Sequence, residues 1–186
     1  MTIFDEAIRL AVSAHSGQTR KTDASPYILH PMEVASIAGS IPDDLDVLSA
    51  AMLHDAVEDS SVSVDELGAK FGDRVAELVD IETEDKQDGR APEETWRARK
   101  EAALETLADS GDRDVKILWL ADKLANLRSV QRALLSEGEA AWKMFHQHDP
   151  AQQKWFYRSV ADLLQAELQD TPAWQEYDRL IEIVFG

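Results

Sequence analysis

Ser49 to Ser60 reads SAAMLHDAVEDS. Its first half is small and apolar, as a buried helix requires. Its second half carries His54, Asp55, Glu58 and Asp59. On a continuous helix, the adjacent His54 and Asp55 leave the axis about 100° apart. Glu58 then lies one turn beyond His54, and Asp59 one turn beyond Asp55. Carboxylates near a helix C-terminus oppose the macrodipole, so three of them at the end of an apolar helix need a compensating partner. One reading is a solvated helix end. The other is a metal-binding His–Asp pair, with donor–metal distances of about 2.0–2.2 Å, beside a second carboxylate pair.

The segments on either side are also helical in period. Ile3, Ala7, Leu10, Ala11 and Ala14 share one face. Pro31 suits the first turn of a helix that begins near His30. The acidic residues of PDDLD, 42–46, favour the start of the helix that leads into His54. Ser63 and Glu66 form a capping-box pattern, and FGDR at 71–74 marks a helix-to-helix corner. Asp149-Pro150 and Thr171-Pro172 each read as a cap followed by proline at the first helical position. No alternating strand, Asn-Gly hairpin signal or internal repeat is present. The fold class is therefore all-α, a single helical bundle over residues 1–186 with roughly eight to ten helices. DKQDGRAPEE, 85–94, is polar and holds Gly89 and Pro92, so it reads as a mobile loop between two helical halves.

A chain of 186 residues is long enough to bury a substantial core. The absence of cysteine excludes disulfides and thiolate metal sites and fits a reducing compartment. The N-terminus lacks the basic and long apolar regions of a secretory signal, and no apolar run is long enough to span a membrane. A cytoplasmic location is expected. The net charge of −17 argues against nucleic-acid polymers and anionic lipid surfaces as partners. A small phosphorylated ligand remains compatible, because a metal or a local cluster of cations reverses the field inside one cleft.

Two further stretches hold candidate chemistry. In VKILWLADKLANLR, 115–128, Asp122 and Asn126 stand at i and i+4 on a face shared with Val115, Leu118, Trp119 and Ala125. An aspartate there is costly to bury unpaired. A divalent metal is one natural partner, and a cation such as Lys123 or Arg128 is another. GQTRKTDASPYILHP, 17–31, holds the basic pair Arg20 and Lys21, a turn-like TDAS, then Tyr27, His30 and Pro31. His15, His146 and His148 carry weaker signals, and FHQHDP is left without a role.

The order GQTRK…PYILHP, LHDAVED, LADKLANLR resembles that of the HD-domain phosphohydrolases, and within them the hydrolase domain of RelA/SpoT-type guanosine pyrophosphate enzymes. The resemblance covers roughly residues 7–130, with C-terminal helices over about 131–186, and implies a stand-alone small alarmone hydrolase. It implies His30, His54, Asp55 and Asp122 as ligands of one divalent ion, usually Mn²⁺, and Glu58 and Asp59 as catalytic carboxylates. Arg20, Lys21 and Asn126 match positions that contact the nucleotide or its phosphates. The implied reaction releases pyrophosphate from the ribose 3′ position of (p)ppGpp, leaving GDP or GTP. Two departures bear on recognition of the base. The turn in RKTDASPY is one residue longer than usual and lacks the customary glycine. VDIETEDK places Glu82 where an apolar residue is common. The rival readings are an HD phosphohydrolase acting on the 2′-phosphate of NADPH or on a nucleoside monophosphate, and a catalytically silent HD regulator that binds a nucleotide.

Overall fold

Helix starts depend on side chains that accept hydrogen bonds from otherwise orphaned amides, and this chain supplies them repeatedly. Thr2 and Asp5 form a capping box at α1 (Ile3–Ala14). Asp44 accepts from two amides at the start of α3 (Leu45–Leu53), and Ser63 and Glu66 cap α5 (Val64–Phe71) reciprocally. Asp112, Asp149 and Thr171 do the same for α8 (Arg113–Glu137), α9 (Pro150–Leu168) and α10 (Pro172–Phe185). The remaining helices are α2 (Leu29–Ala38), α4 (Ala56–Asp59), α6 (Asp73–Glu82) and α7 (Pro92–Asp109), and a 3₁₀ segment covers Gly138–Met144. The structure, a computed structural model, describes residues 1–41, 44–83 and 91–186. The described residues form no strand. An isolated antiparallel bridge between Thr19 and Pro26 closes the loop before α2.

Two elements differ from the sequence reading. The stretch SAAMLHDAVEDS is not one helix. It breaks after Leu53, and the single turn α4 resumes at Ala56. The cause is local: His54 Nδ1 donates to the Ala51 carbonyl at 2.9 Å, the acceptor that the Asp55 amide would use in an uninterrupted helix. Asp55 then flattens to φ −91°, ψ −4°. Glu58 and Asp59 therefore stand on their own turn, and the expected cost of carboxylates opposing a long helix dipole does not arise. The second difference is at 92–94, read as loop but forming the first turn of α7. Proline sits in that turn and Glu93 and Glu94 complement the dipole. Residues 85–90 of that expected loop lie outside the described residues.

The core is organised around α8. Along its 25 residues, Val115, Ile117, Leu118, Leu120, Leu124 and Leu127 are buried. At 1.5 Å per residue the helix is about 37 Å long, enough to meet α2, α3 and α6 as well as α9 and α10. Helix α1 lies along α3, with Ala7 and Ala11 fully buried between them and Ile3, Leu10 and Ala14 partly so. Their small side chains let the backbones approach. Gly72, at φ +90°, turns the chain between α5 and α6, a conformation that favours glycine.

Long-range ion pairs pin α8 at its N-terminus and again past its middle. Arg74 on α6 holds Asp112 through two bonds of 2.7 and 3.0 Å and also binds Asp114. Arg128 is held by Glu176 on α10 at 2.7 Å and by Glu33 on α2 at 3.1 Å. The Arg74 clamp also orients the N-cap carboxylate of α8. Arg74→Ala is expected to lower unfolding stability by about 1 kcal/mol, the scale of a half-exposed fork-shaped pair plus a weakened cap. Hydrogen bonding to Arg74 holds the Asp112 carboxyl below its ordinary range. The clamp's contribution is thus present above the ordinary carboxylate pKa and lost as pH falls through the lowered one. The mutant–wild-type difference in denaturation midpoint should shrink in acid.

Candidate active site

Three separate elements bring His30, His54 and Asp122 together, with Asp55 beside the two imidazoles. His30 comes from the first turn of α2, His54 and Asp55 from the break between α3 and α4, and Asp122 from the middle of α8. His30 Nε2 lies 3.0 Å from Asp122 Oδ1 and 3.5 Å from Asp55 Oδ2. His54 Nε2 lies 3.0 Å from Asp55 Oδ2, 3.5 Å from Asp122 Oδ1 and 3.3 Å from His30 Nε2. His30, His54 and Asp122 are buried among the described residues as a group able to hold a metal ion.

The donor set fits a divalent cation. Separations of about 3.0–3.5 Å are the edges of a coordination shell whose bonds are ~2.0–2.2 Å. The bond from His54 Nδ1 to Ala51 fixes the ring tautomer, leaving the Nε2 lone pair aimed inward, as a ligand needs. Without a cation the cluster is electrostatically uneven. Burial opposes charging of His54, but the Asp55 and Asp122 carboxylates outweigh it and hold its pKa well above that of ordinary imidazole. Burial prevails at His30, whose pKa is lowered. Burial also works against ionised Asp55 and Asp122, yet both lie below the usual carboxylate range, Asp55 chiefly because of His54 and Asp122 because of Lys123.

Both partners that the sequence offered Asp122 have a bearing on the outcome. Lys123 Nζ donates to Asp122 Oδ2 at 2.6 Å and to Glu82 Oε1 at 2.8 Å. Arg128 does not reach the site, being taken by Glu33 and Glu176. Asn126 Nδ2 donates to Asp122 Oδ1 at 2.7 Å, and its own oxygen accepts from Arg20 Nη2 at 3.1 Å. Arg20 is thereby tied to the cluster from a position 106 residues away.

Two adjoining clefts, of about 450 and 530 Å³, open beside the cluster. The first reaches His30, Asp55 and Asp122, and Glu58 lines both. Asp59 lines the larger, as do Arg20 and Lys21. Lys21 Nζ meets His146 Nε2 at 3.2 Å, so His146, left without a role by the sequence, stands at the cleft rim. His15 is buried and bonds Gln18, which in turn donates to the Asp59 carbonyl at 2.7 Å.

Sequence reasoning missed three residues. Tyr27 donates to Asp55 Oδ2 at 2.6 Å and to Asp59 Oδ2 at 3.3 Å, linking the two carboxylates. Its place three residues before His30 on a turn entering a helix was the available signal. Arg99 and Lys100 on α7 line both clefts. They follow the buried Trp96 by three and four residues, which puts them on its face of the helix. Against a net charge of −17, the clefts gather Arg20, Lys21, Arg99, Lys100 and Lys123.

A His–Asp cluster of this kind inside an α-helical bundle defines a class, and an HD-domain profile matches residues 7–148. The chain belongs to the HD-domain family. Its motifs also place it with the RelA/SpoT hydrolase type, as its relatives bear out. A guanosine-3′,5′-bis(diphosphate) 3′-pyrophosphohydrolase of Vibrio cholerae is 42% identical over 135 residues, which cover 67% of this chain and 18% of that protein. The Danio rerio pyrophosphohydrolase MESH1 is 37% identical over 131 residues, 68% of each chain. The solved structure of a metazoan orthologue of SpoT, described as hydrolysing ppGpp with a role in starvation responses, matches with a TM-score of 0.78 at 28% identity. That match covers 98% of this chain and 96% of the other.

The TDAS turn keeps a left-handed residue although it lacks glycine: Ala24 sits at φ +56°. Asp23 Oδ1 accepts from the Ser25 amide and hydroxyl, and Thr22 bonds Ser129 at 2.9 Å, so side chains hold the strained turn. Ala24→Gly is expected to raise stability by about 0.5–1 kcal/mol, the cost of alanine at positive φ net of glycine's greater unfolded-state freedom. A denaturant melt checks it.

Proposed function

We propose that this protein hydrolyses guanosine 3′-pyrophosphates, converting ppGpp and pppGpp to GDP and GTP with release of pyrophosphate. The observation that carries the reading is the meeting of a divalent-cation donor set with a cation-lined cleft in an otherwise strongly acidic protein. The names of the relatives at 42% and 37% identity support the same substrate. The ion is one Mn²⁺, held by His30, His54, Asp55 and Asp122. When bound, it supplies Lewis-acid polarisation and lowers the pKa of a coordinated water.

The protein's own groups do the rest. Glu58, facing both clefts, accepts the proton of the attacking water and holds it in line with the phosphorus on the 3′ oxygen. The bond between that phosphorus and the 3′ oxygen breaks, and the ribose regains a hydroxyl. Asp59 supports this geometry through Tyr27, whose hydroxyl donates to both Asp55 and Asp59. Arg20, Lys21, Arg99 and Lys100 neutralise the polyphosphate. Asn126 ties Arg20 to Asp122, so phosphate binding and the metal cluster share one support.

Two variants separate chemistry from ligation. Glu58→Ala should reduce kcat by about 10²–10⁴-fold, the range for loss of a general base, with Mn²⁺ affinity nearly intact. Asp122→Ala should lose metal and turnover together. A Mn²⁺ titration beside steady-state kinetics reads both, and an empty site in Glu58→Ala contradicts the division of roles.

Substrate class is tested by kcat/KM on ppGpp, pppGpp, NADPH and nucleoside monophosphates with Mn²⁺ present. The guanosine pyrophosphates should be preferred, and efficient release of phosphate from NADPH with little action on ppGpp would reject the assignment. Arg20→Ala should raise KM for both pyrophosphates alike, because a phosphate contact carries no information about the base.

A further inference from the structure

Glu82 is a buried carboxylate that the hydrolytic scheme does not use. Its side chain is only 4% exposed, and it lies at the end of α6 against the first cleft. Oε1 accepts from Lys123 Nζ at 2.8 Å, while Oε2 has no hydrogen-bond partner among the described residues. A buried carboxylate with half its capacity unmet is costly. Among the described residues Glu82 bonds Lys123, which in turn donates to Asp122 Oδ2 at 2.6 Å. Lys123 Nζ also sits 4.6 Å from the centre of the Trp119 ring, so the ammonium is held between two carboxylates and an indole face.

The arrangement assigns separate tasks to the two oxygens of Asp122. Oδ1 faces His30 and His54 and accepts from Asn126. Oδ2 is committed to Lys123. Lys123 keeps Asp122 ionised but, standing alone beside it, would offset most of its negative field, and a carboxylate so offset attracts a cation weakly. Counting the buried charges makes the point. Burial pushes the Glu82 carboxyl up to about 7 in the metal-free protein. Once it is ionised, as beside a bound cation, Asp55, Asp122 and Glu82 contribute three negative charges and Lys123 one positive, with both imidazoles neutral as ligation requires. The balance of two negative charges is the complement of one divalent ion. Without Glu82 only one negative charge would remain.

We propose that Glu82 is a positioning and charge-balancing residue for the divalent ion, acting through Lys123 on Asp122. The inference rests on the metal site read above and adds a residue to its outer support. Glu82 draws part of the ammonium's field away from Asp122, keeps Lys123 from closing over Oδ1, and leaves the cluster neutral once a divalent cation is in place.

The test is a Mn²⁺ titration followed by the electron paramagnetic resonance signal of free ion, on the full chain, with a thermal melt confirming folding. Glu82→Gln retains the shape and removes the charge, and should weaken Mn²⁺ binding roughly 10–100-fold, the usual effect of losing an outer-shell partner. Glu82→Asp, which retains the charge, should stay close to wild type. In the double variant Glu82→Gln with Lys123→Met, charge and countercharge leave together, and affinity should recover toward wild type. A merely structural role predicts instead that the double variant is the worst of the set. Glu82→Gln binding Mn²⁺ as wild type does, or a double variant weaker than Glu82→Gln, overturns the proposal while leaving the metal site standing. Wild type that binds no divalent ion removes the metal site and this inference with it. If Glu82→Gln does not fold, the comparison of wild type, Glu82→Asp and the double variant still decides, since a double variant far weaker than both overturns the proposal.

Discussion

The structure depends on how a carboxylate is buried in the middle of its longest helix. Asp122 stands on α8 among Leu118, Trp119, Leu120 and Leu124, and is itself only 4% exposed. An unpaired charge there would be prohibitive. The fold answers by bringing donors from every side: Lys123 and Asn126 from α8 itself, His30 from α2 and His54 from the end of α3. Because α2, α3 and α6 all pack on α8, the helices that complete the core also complete the cluster. Packing and site construction are one arrangement.

The break after Leu53 shows the same economy. A straight helix would have carried His54 and Asp55 apart by about 100°. By taking the Ala51 carbonyl, the His54 ring ends the helix, fixes its own tautomer and lets Asp55 swing to within 3.0 Å of His54 Nε2. One hydrogen bond thus sets both a chain direction and a chemical state. The short turn that follows holds Glu58 and Asp59 at the cleft, with Tyr27 and Gln18 tying it to the preceding loop.

Charge is distributed by function. The chain carries 36 acidic and 19 basic residues, yet the clefts collect five cations from three regions far apart in sequence. Acidic side chains elsewhere are engaged in capping helices, as at Asp44, Glu66 and Asp149, or in pairing with arginines such as Arg74, Arg128 and Arg158. In the larger cleft these five cations face two carboxylates, Glu58 and Asp59, a local reversal of the chain's overall sign. That suits a small phosphorylated ligand.

Features that depend on neighbours within about four residues were legible in the sequence. The caps at Ser63, Asp149 and Thr171, the corner at Gly72 and the buried face of α1 all follow from local hydrogen bonding and helical period, and all are present. The residue types of the cluster were legible too, because His54, Asp55 and Asp122 are too polar for their apolar surroundings. Tertiary structure decided what depends on distant partners. Only folding brings His30 within 3.0 Å of Asp122, sends Arg128 to Glu33 and Glu176 rather than to Asp122, and sets Arg99 and Lys100 in the clefts. Only folding reveals why Glu82 is polar, since its partner lies 41 residues away. The division has a physical reason: capping and period are energies of one or two turns, whereas a buried charge is neutralised by whichever opposite charge the packed chain carries to it.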